Sequence, residues 1–240
     1  MVWAAGDWGA TNDTTVASDP PTGGTQDQAA WASGKATMFA FHWDKQGAAD
    51  TTNYGISGYA PGNTFTKLAV EIKGTATQVT HQSGLPVTNY SGTNRTSITQ
   101  AVTVVPGNNS ILVVRSIQED ATDTGGITGI TFNGVALAKL DSVHATTWSR
   151  VEIWYLVAPD TTTANLVINK GSFGNNRWGI TVDAYDNVNP SLPWGTTVDK
   201  SSADSGTSDT RTAASFSPGD MAIDALSLDS TGPPQLLELA

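Results

Sequence analysis

The chain has 240 residues, a formal net charge of −10, 14% charged residues and no cysteine. The lack of cysteine excludes a disulfide framework and a thiolate zinc site. The negative balance and the few basic residues argue against a nucleic-acid partner, and no apolar run approaches the roughly 18 residues that span a bilayer, so we expect no membrane association.

The composition favours β-structure. There are 24 Gly and 11 Pro, and the polar remainder is rich in Thr; all three residue types disfavour long helices. Ordinary domains carry about 25% charged residues, so in this chain neutral hydroxyl and amide groups must form much of the surface that contacts water. A chain of this length buries roughly 70% of its unfolded surface. We therefore expect an all-β protein with a substantial core.

Residues 1–36 form a predicted extended arm. They are rich in Gly, Ala, Asp and Thr, with a turn or linker of sequence DPPTGG at 19–24. Trp3, Trp8 and Trp31 are isolated within this segment, and isolated large aromatics in an irregular segment are typical of anchors. They either dock on a neighbouring protein or cap the domain's own core.

Residues 37–97 form a predicted β-rich region. Short β-branched and aromatic runs at 37–43, 65–72 and 75–80 are separated by Gly, Asn and Pro, as strands are. Residues 82–95 are rich in turn-forming types, so we place a boundary at residue 97.

The strand signals are clearest from residue 98 onward. Residues 98–105 alternate along one strand, and residues 110–117 are apolar nearly throughout, which predicts a central strand buried on both faces. Asn133 and Gly134 join two apolar runs, which predicts a tight hairpin. Further strands are predicted at 151–157, 165–169, 178–185 and 221–228, with a polar stretch at 201–211. Residues 98–240 are thus predicted to form an antiparallel β-sandwich, of jelly-roll or immunoglobulin-like type.

Catalytic signals are weak. The histidines, His42, His81 and His144, lie in separate segments without metal-binding spacing, and no Gly-x-Ser-x-Gly elbow occurs. Glu152 is the one glutamate placed as a plausible general acid, facing solvent or a cleft opposite Ile153. Arg150 shares its strand face, which favours an ion pair instead. We expect no enzyme activity.

An acidic, glycine-terminated loop spans residues 119–126. Its oxygens would suit calcium, but the spacing of an EF-hand loop is missing, and a solvated hairpin end is the favoured interpretation. No cofactor and no metal site are therefore expected.

From residue 98 onward the chain resembles a β-sandwich module of bacteriophage virion accessory proteins, which also recurs in secreted bacterial surface proteins. The resemblance rests on residues 102–115 (VTVVPGNNSILVVR), 127–140 (ITGITFNGVALAKL), 151–157 (VEIWYLV) and 218–224 (PGDMAID). Its motifs are turn glycines and buried strands. It carries no catalytic residue.

The resemblance implies a non-enzymatic virion structural protein: a capsid decoration or cement protein, a head fibre or a tail component. The partners would be other virion proteins, such as the major capsid protein, and further copies of the chain, with a trimer favoured. The protein would assemble in the host cytoplasm and reside in the virion. An alternative is an extracellular or cell-surface carbohydrate-binding or adhesive module in which exposed Trp148, Trp178 and Trp194 stack on sugar rings.

Overall fold

A computed structural model describes the backbone of much of the chain. The described ranges are 17–19, 25–32, 36–44, 53–57, 63–75, 77–85, 87–91, 95–119, 126–144, 149–171, 178–203, 209–212 and 219–230. Side chains are described for 71–75, 77–85, 95–118, 126–144, 150–171, 178–195 and 219–221.

All regular elements in the described ranges are β-strands. In chain order they are β1 (Ala17–Asp19), β2 (Thr25–Ala32), β3 (Ala36–Asp44), β4 (Asn53–Ser57), β5 (Asn63–Ile72), β6 (Thr80–His81), β7 (Val87–Ser91), β8 (Ser97–Thr103), β9 (Ile111–Glu119), β10 (Ile127–Phe132), β11 (Val135–Ala136), β12 (Ala138–His144), β13 (Ser149–Val157), β14 (Thr163–Lys170), β15 (Trp178–Asp186), β16 (Trp194–Ala203), β17 (Asp209–Thr212) and β18 (Met221–Ser230).

Two antiparallel sheets form a sandwich. One, the outer sheet, has the strand order β11-β10-β14-β8, and the other has the order β12-β13-β9-β15-β6, with β7 also paired to β15. Their facing side chains form one hydrophobic core, in which Phe132, Leu166, Val114, Ile180 and Trp178 are fully shielded from solvent. The predicted all-β sandwich is confirmed.

The sheet that holds β9, β13 and β15 is covered on its other face as well. The smaller sheet β16-β5-β18 contributes Ile72, Met221 and the partly buried Trp194 to a second core. These side chains pack with a group of buried residues on β9, β13 and β15, namely Ile111, Val113, Ile117, Val151, Ile153 and Tyr185. This sheet is therefore the middle layer of three.

Two local predictions are confirmed in detail. Every side chain of residues 111–118 is buried, as the apolar run of β9 predicts, because both faces of this strand meet a hydrophobic core. The hairpin between β10 and β11 turns at Asn133 and Gly134, whose φ angles are 48° and 79°. Phe132 pairs with Val135 across it, so the loop has two residues.

Elsewhere the strands differ from the prediction. Among the described residues of the segment predicted as a strand at 75–80, only Thr80 lies in one, as the first residue of β6. β7 lies within the segment predicted as turns, and β16 extends through residues with little apolar pattern. Polar segments pair here because a neighbouring strand supplies backbone partners, and no apolar pattern is needed for that.

The strand pairing crosses the predicted boundary at residue 97. β6 and β7 pair with β15, and β5 pairs with β16 and β18. In the predicted arm, β2 pairs with β3 and β1 pairs with β4. Residues before and after position 97 therefore build common sheets.

Candidate functional site

A buried ionic cluster joins the end of β5 to the start of β18. Lys73 Nζ lies 3.0 Å from Glu71 Oε1 and 2.8 Å from Asp220 Oδ2. The backbone N–H of Gly74 donates to the other Asp220 oxygen at 2.8 Å. Both carboxyl groups are nearly inaccessible, whereas the lysine side chain keeps one quarter of its surface exposed. One cation is thus shared by two acids, and Asp220 is 147 positions away from it in sequence.

The cluster changes the proton affinity of its members. Burial raises the pKa of Glu71 from 4.5 to about 7, against the opposing effect of Lys73, and the nearby Asp220 carboxylate raises it further. Burial alone would lower the pKa of Lys73, but its hydrogen bonds to Asp220 and Glu71 raise it above the ordinary value. Glu71 can therefore exchange a proton near neutral pH while Lys73 stays charged.

Glycine backbones close around this cluster. A Cβ at position 195 would overlap Glu71 Oε2, and a Cβ at position 74 would overlap the carbonyl oxygen of Gly219. Gly219 itself has a φ of 93°, which favours glycine. The carboxyl group of Glu71 is packed against the chain, so this geometry favours a structural junction over a substrate-binding group.

A second ionic group runs across three strands of the middle sheet. Arg115 on β9 donates through Nη2 to Asp183 Oδ2 on β15, and His81 Nε2 on β6 lies 3.0 Å from Asp183 Oδ1. The His81 ring also packs on Tyr185 with centroids 5.3 Å apart. Arg115 and Asp183 are completely buried. The alternation of both strands places these side chains on the face that meets the second core.

Asp183 remains ionised in this setting. Burial alone would raise its pKa, but the Arg115 guanidinium and the His81 imidazole together hold the pKa of Asp183 below its ordinary value of 3.8. Arg115 and Asp183 are thus a buried cation and a buried anion that compensate one another, as charges in a protein interior must.

The predicted orientation of Glu152 is wrong. Its side chain is completely buried between the sandwich sheets, where Oε2 accepts a hydrogen bond from Trp154 Nε1 at 2.9 Å and Oε1 lies 3.6 Å from Arg150 Nη1. Burial raises the pKa of Glu152, which Trp154, Lys139 and Arg150 partly oppose. Other layers cover both faces of β13, so the alternation of this strand does not separate solvent from core.

The tryptophans named from the sequence fall in different environments. Trp178 is completely buried and donates through Nε1 to the carbonyl oxygen of Arg95 at 3.0 Å, so its expected exposure as a sugar platform is not met. Trp194 is partly buried and meets Tyr155 edge-on, with centroids 5.1 Å apart. Trp31 is on β2 opposite Thr37, and its side chain is outside the described set. The others lie outside the described residues: Trp3, Trp8 and Trp148.

The outer sheet presents a neutral surface, which we call the outer face. It is formed by the outward residues of β8, β10, β11 and β14: Ser97, Thr99, Ala101, Thr103, Thr131, Ala136, Thr163, Asn165, Val167 and Asn169. These residues lie in register across neighbouring strands, and the hydroxyls of Thr103 and Thr163 are 2.8 Å apart. The one charged residue of these four strands, Lys170, is buried.

The remaining sequence hypotheses concern metal and membrane. Within the described side chains, no three acidic, histidine or cysteine residues gather as metal ligands would; the loop considered for calcium lies mostly outside the described residues. None of the described segments is a helix of the length and apolar character that a bilayer crossing requires.

Sequence reasoning missed the two ionic clusters around Lys73 and Asp183. Apart from Glu71 and Lys73, which are two positions apart, their members are far apart in sequence and are brought together by the fold, so spacing gives no signal for either cluster. The acidic residue in the Pro-Gly-Asp turn before β18 was the one available hint.

Compared with known proteins, the chain matches no family model and no curated protein.

Proposed function

We propose that this chain is a non-enzymatic structural protein of a bacteriophage virion, acting through protein–protein contacts as a capsid decoration protein or as part of a head fibre or tail. It assembles with other virion proteins and with further copies of itself. The outer face is the observation that carries this proposal. A chain with a net charge of −10 keeps one broad sheet surface free of ionised groups.

The neutrality of the outer face suits docking. Charged residues are depleted at the centre of protein interfaces because their desolvation is costly. Threonine methyls and hydroxyls on a regular sheet offer both apolar contact and hydrogen bonds to a partner. Val135 at the edge of the same sheet is 47% exposed, which adds apolar surface there.

The internal pairing of the ionic groups also supports a structural role. Glu71, Lys73 and Asp220 bind one another, as do Arg115, Asp183 and His81. In each cluster opposite charges are in contact and the carboxyl groups are shielded from solvent, which stabilises the junction of strands that meet there.

Incorporation into particles tests the proposal. The aromatic side chains of the arm are the expected docking anchors, so the full chain with Trp3→Ala and Trp8→Ala should enter virions at a level at least about ten-fold lower, since buried aromatic anchors contribute about 2 kcal/mol or more each at interfaces. A second variant, Trp31→Ala, tests the third anchor. The measurement is quantitative immunoblotting of purified particles.

The control is Trp148→Ala, which lies outside the arm. Circular dichroism must show that each variant retains the β-structure of the unaltered chain. Absence of the unaltered chain from purified particles would contradict the virion role. Unchanged incorporation of the arm variants would contradict docking through the arm.

A further inference from the structure

The cluster of Glu71, Lys73 and Asp220 brings an amine together with two carboxyl groups. Ile72 pairs with Met221 across β5 and β18, so Lys73 and Asp220, the next residues on the two antiparallel chains, lie opposite each other. Side chains two positions apart share a face of a strand, and Glu71 therefore lies beside Lys73. The register of these strands thus creates the contact.

The distances favour a reaction between the lysine and the aspartate. Lys73 Nζ lies 2.8 Å from Asp220 Oδ2 and 3.0 Å from Glu71 Oε1, so only a small shift brings Nζ to the roughly 3–3.5 Å from the carboxyl carbon at which bonds can form. The backbone N–H of Gly74 donates to Asp220 Oδ1 at 2.8 Å. This donor would stabilise the negative charge that develops on Oδ1 during attack.

The reacting groups are also held in place and shielded from water. The backbone N–H of Lys73 donates to Pro193 O, and its carbonyl oxygen accepts from Asn189 N, both at 2.8 Å. The side chains of Glu71 and Asp220 are only 3% and 5% exposed. Exclusion of water favours a condensation, because water is its product and would reverse it.

We propose that Lys73 and Asp220 condense to an amide bond within the folded chain, with Glu71 as the catalytic acid and base. A bond forms between Lys73 Nζ and Asp220 Cγ, and the bond between Cγ and Oδ2 breaks. The ammonium group gives up two of its three protons, and Oδ2 leaves with both as one water molecule. A cation and an anion become one neutral amide, so the step needs no oxidant, reductant or other reactant.

Glu71 is placed to carry these protons. Its Oε1 contacts Nζ, and its carboxyl group also forms a side-chain hydrogen bond with Asp220. Burial raises the pKa of Glu71 to about 7, so near neutral pH this group can take a proton from the ammonium and return it to the leaving oxygen. Burial remains after the amide bond forms, so its effect on the pKa of Glu71 remains as well.

The reaction is a slow, single event in each chain. Burial lowers the pKa of Lys73, but the hydrogen bonds to Asp220 and Glu71 raise it above the ordinary value. The neutral amine that attacks is therefore rare. Because the chain modifies only itself, and only once, the reaction is compatible with a protein that turns over no separate substrate.

The buried pair of Arg115 and Asp183 cannot react in the same way. Its cation is a guanidinium group, which stays protonated in proteins. The bond between Lys73 and Asp220 spans 147 positions and closes a loop that contains strands β6–β17. A cross-link over so long a loop restricts the unfolded chain, in a protein that has no cysteine for a disulfide.

Mass spectrometry of the full chain tests the proposal. After incubation in the folded state and complete denaturation, the unaltered chain should be lighter by one water molecule than its sequence requires. In a tryptic digest the peptides 68–95 and 212–240 should remain joined, because trypsin cannot cleave after a lysine whose side chain is bonded to Asp220. Loss of water without the joined peptide, as from a cyclised aspartate, would rule out the bond.

Two variants test the roles of the reacting groups. Lys73→Arg keeps the positive charge without the amine and should retain the mass that its sequence requires. Glu71→Gln keeps the size of the side chain without proton transfer, and should form the joined peptide about 100-fold more slowly or less. The matched control, Lys139→Arg, replaces an exposed lysine of β12 and should lose water as the unaltered chain does. Circular dichroism verifies that each variant retains its β-structure.

The proposal would be overturned by an unaltered chain that keeps its full mass after prolonged incubation, or by the same loss of water in Lys73→Arg. Equal rates in Glu71→Gln and the unaltered chain would remove Glu71 from the reaction. The inference goes beyond the proposed function and does not depend on it. The mass of the chain and its entry into particles are separate measurements, so either can fail without the other.

Discussion

The ionisation of Glu71 depends strongly on the fold. Its carboxyl group is 3% exposed, and its pKa of about 7 reflects burial first and then the cost of holding a second carboxylate beside Asp220. The protonated form needs less solvation, so the folded protein binds this proton more tightly than the unfolded chain does. The stabilisation linked to this proton is fully present below pH 4.5 and is lost as the pH rises through 7.

Substitution of Glu71 should remove this dependence. Because Gln resembles the protonated acid, Glu71→Gln should reduce the loss of unfolding free energy between about pH 5 and pH 8 by about 2–3 kcal/mol. Urea denaturation at the two pH values measures it. Asp183 does not contribute in this window, since its pKa lies below 3.8.

The control is Thr99→Ala, an exposed position on β8 without an ionisable group, which should leave the pH dependence as it is in the unaltered chain. An equally steep loss of stability in Glu71→Gln would show that a different group takes up the proton.

At the scale of elements, the backbone just after β5 packs closely against the turn before β18 at Gly74. The bridge partner of Gly74 is Val188, and on its other side the Gly219 carbonyl occupies the space that a side chain would need. The backbone atoms on both sides belong to paired segments, so neither can move away without loss of hydrogen bonds.

Two glycines give a matched comparison of this close approach. Gly74→Ala should lower the free energy of unfolding by about 1–3 kcal/mol, as overpacking does. Gly129→Ala, on β10 with open space around it, should be neutral or stabilising by up to about 1 kcal/mol. Equal effects of the two substitutions on the urea midpoint would contradict the steric explanation.

The strands that sequence reasoning identified are those whose pattern comes from burial or from a turn. The apolar run of β9 and the Asn133-Gly134 turn depend on local chemistry alone, and both are confirmed. β16 and β7 have no such pattern, because they are held by pairing with β5 and β15. The predicted orientation of Glu152 was wrong for a related reason. Alternation along a strand indicates a solvent-facing side only when one face of the sheet is exposed to water.

The candidate sites were predictable to a smaller extent. Neutral residues at alternate positions of β8 indicate an exposed neutral strand face, but the breadth of the outer face depends on which strands lie beside it. The contact between Lys73 and Asp220 joins segments separated by most of the chain. Long-range pairing of this kind leaves no periodic trace in the sequence.

At the scale of the whole molecule, the middle sheet belongs to both cores. β9 contributes Leu112 and Val114 to one core and Ile111 and Val113 to the other. Neither core can lose its packing without exposing the strands that support the other. The layers should therefore unfold together, although the sequence suggested separate regions on either side of residue 97.

Calorimetry can test this coupling with one conservative change in each core. Phe132→Leu and Ile153→Val should each cost about 1 kcal/mol and lower the midpoint of the same single transition by about 2–4 °C. The calorimetric and van't Hoff enthalpies should agree. Two transitions, each moved by only one of the substitutions, would show that the layers unfold independently.

The position of β9 also determines how this protein can vary. Residues 111–118 have no solvent-facing side, so nearly every substitution there alters packing or leaves a charge uncompensated. The outward positions of β8 and β14 have no such constraint. Binding specificity can therefore diverge through the outer face while the middle layer keeps its sequence, and related chains with different partners would share the inner strands more closely than the outer ones.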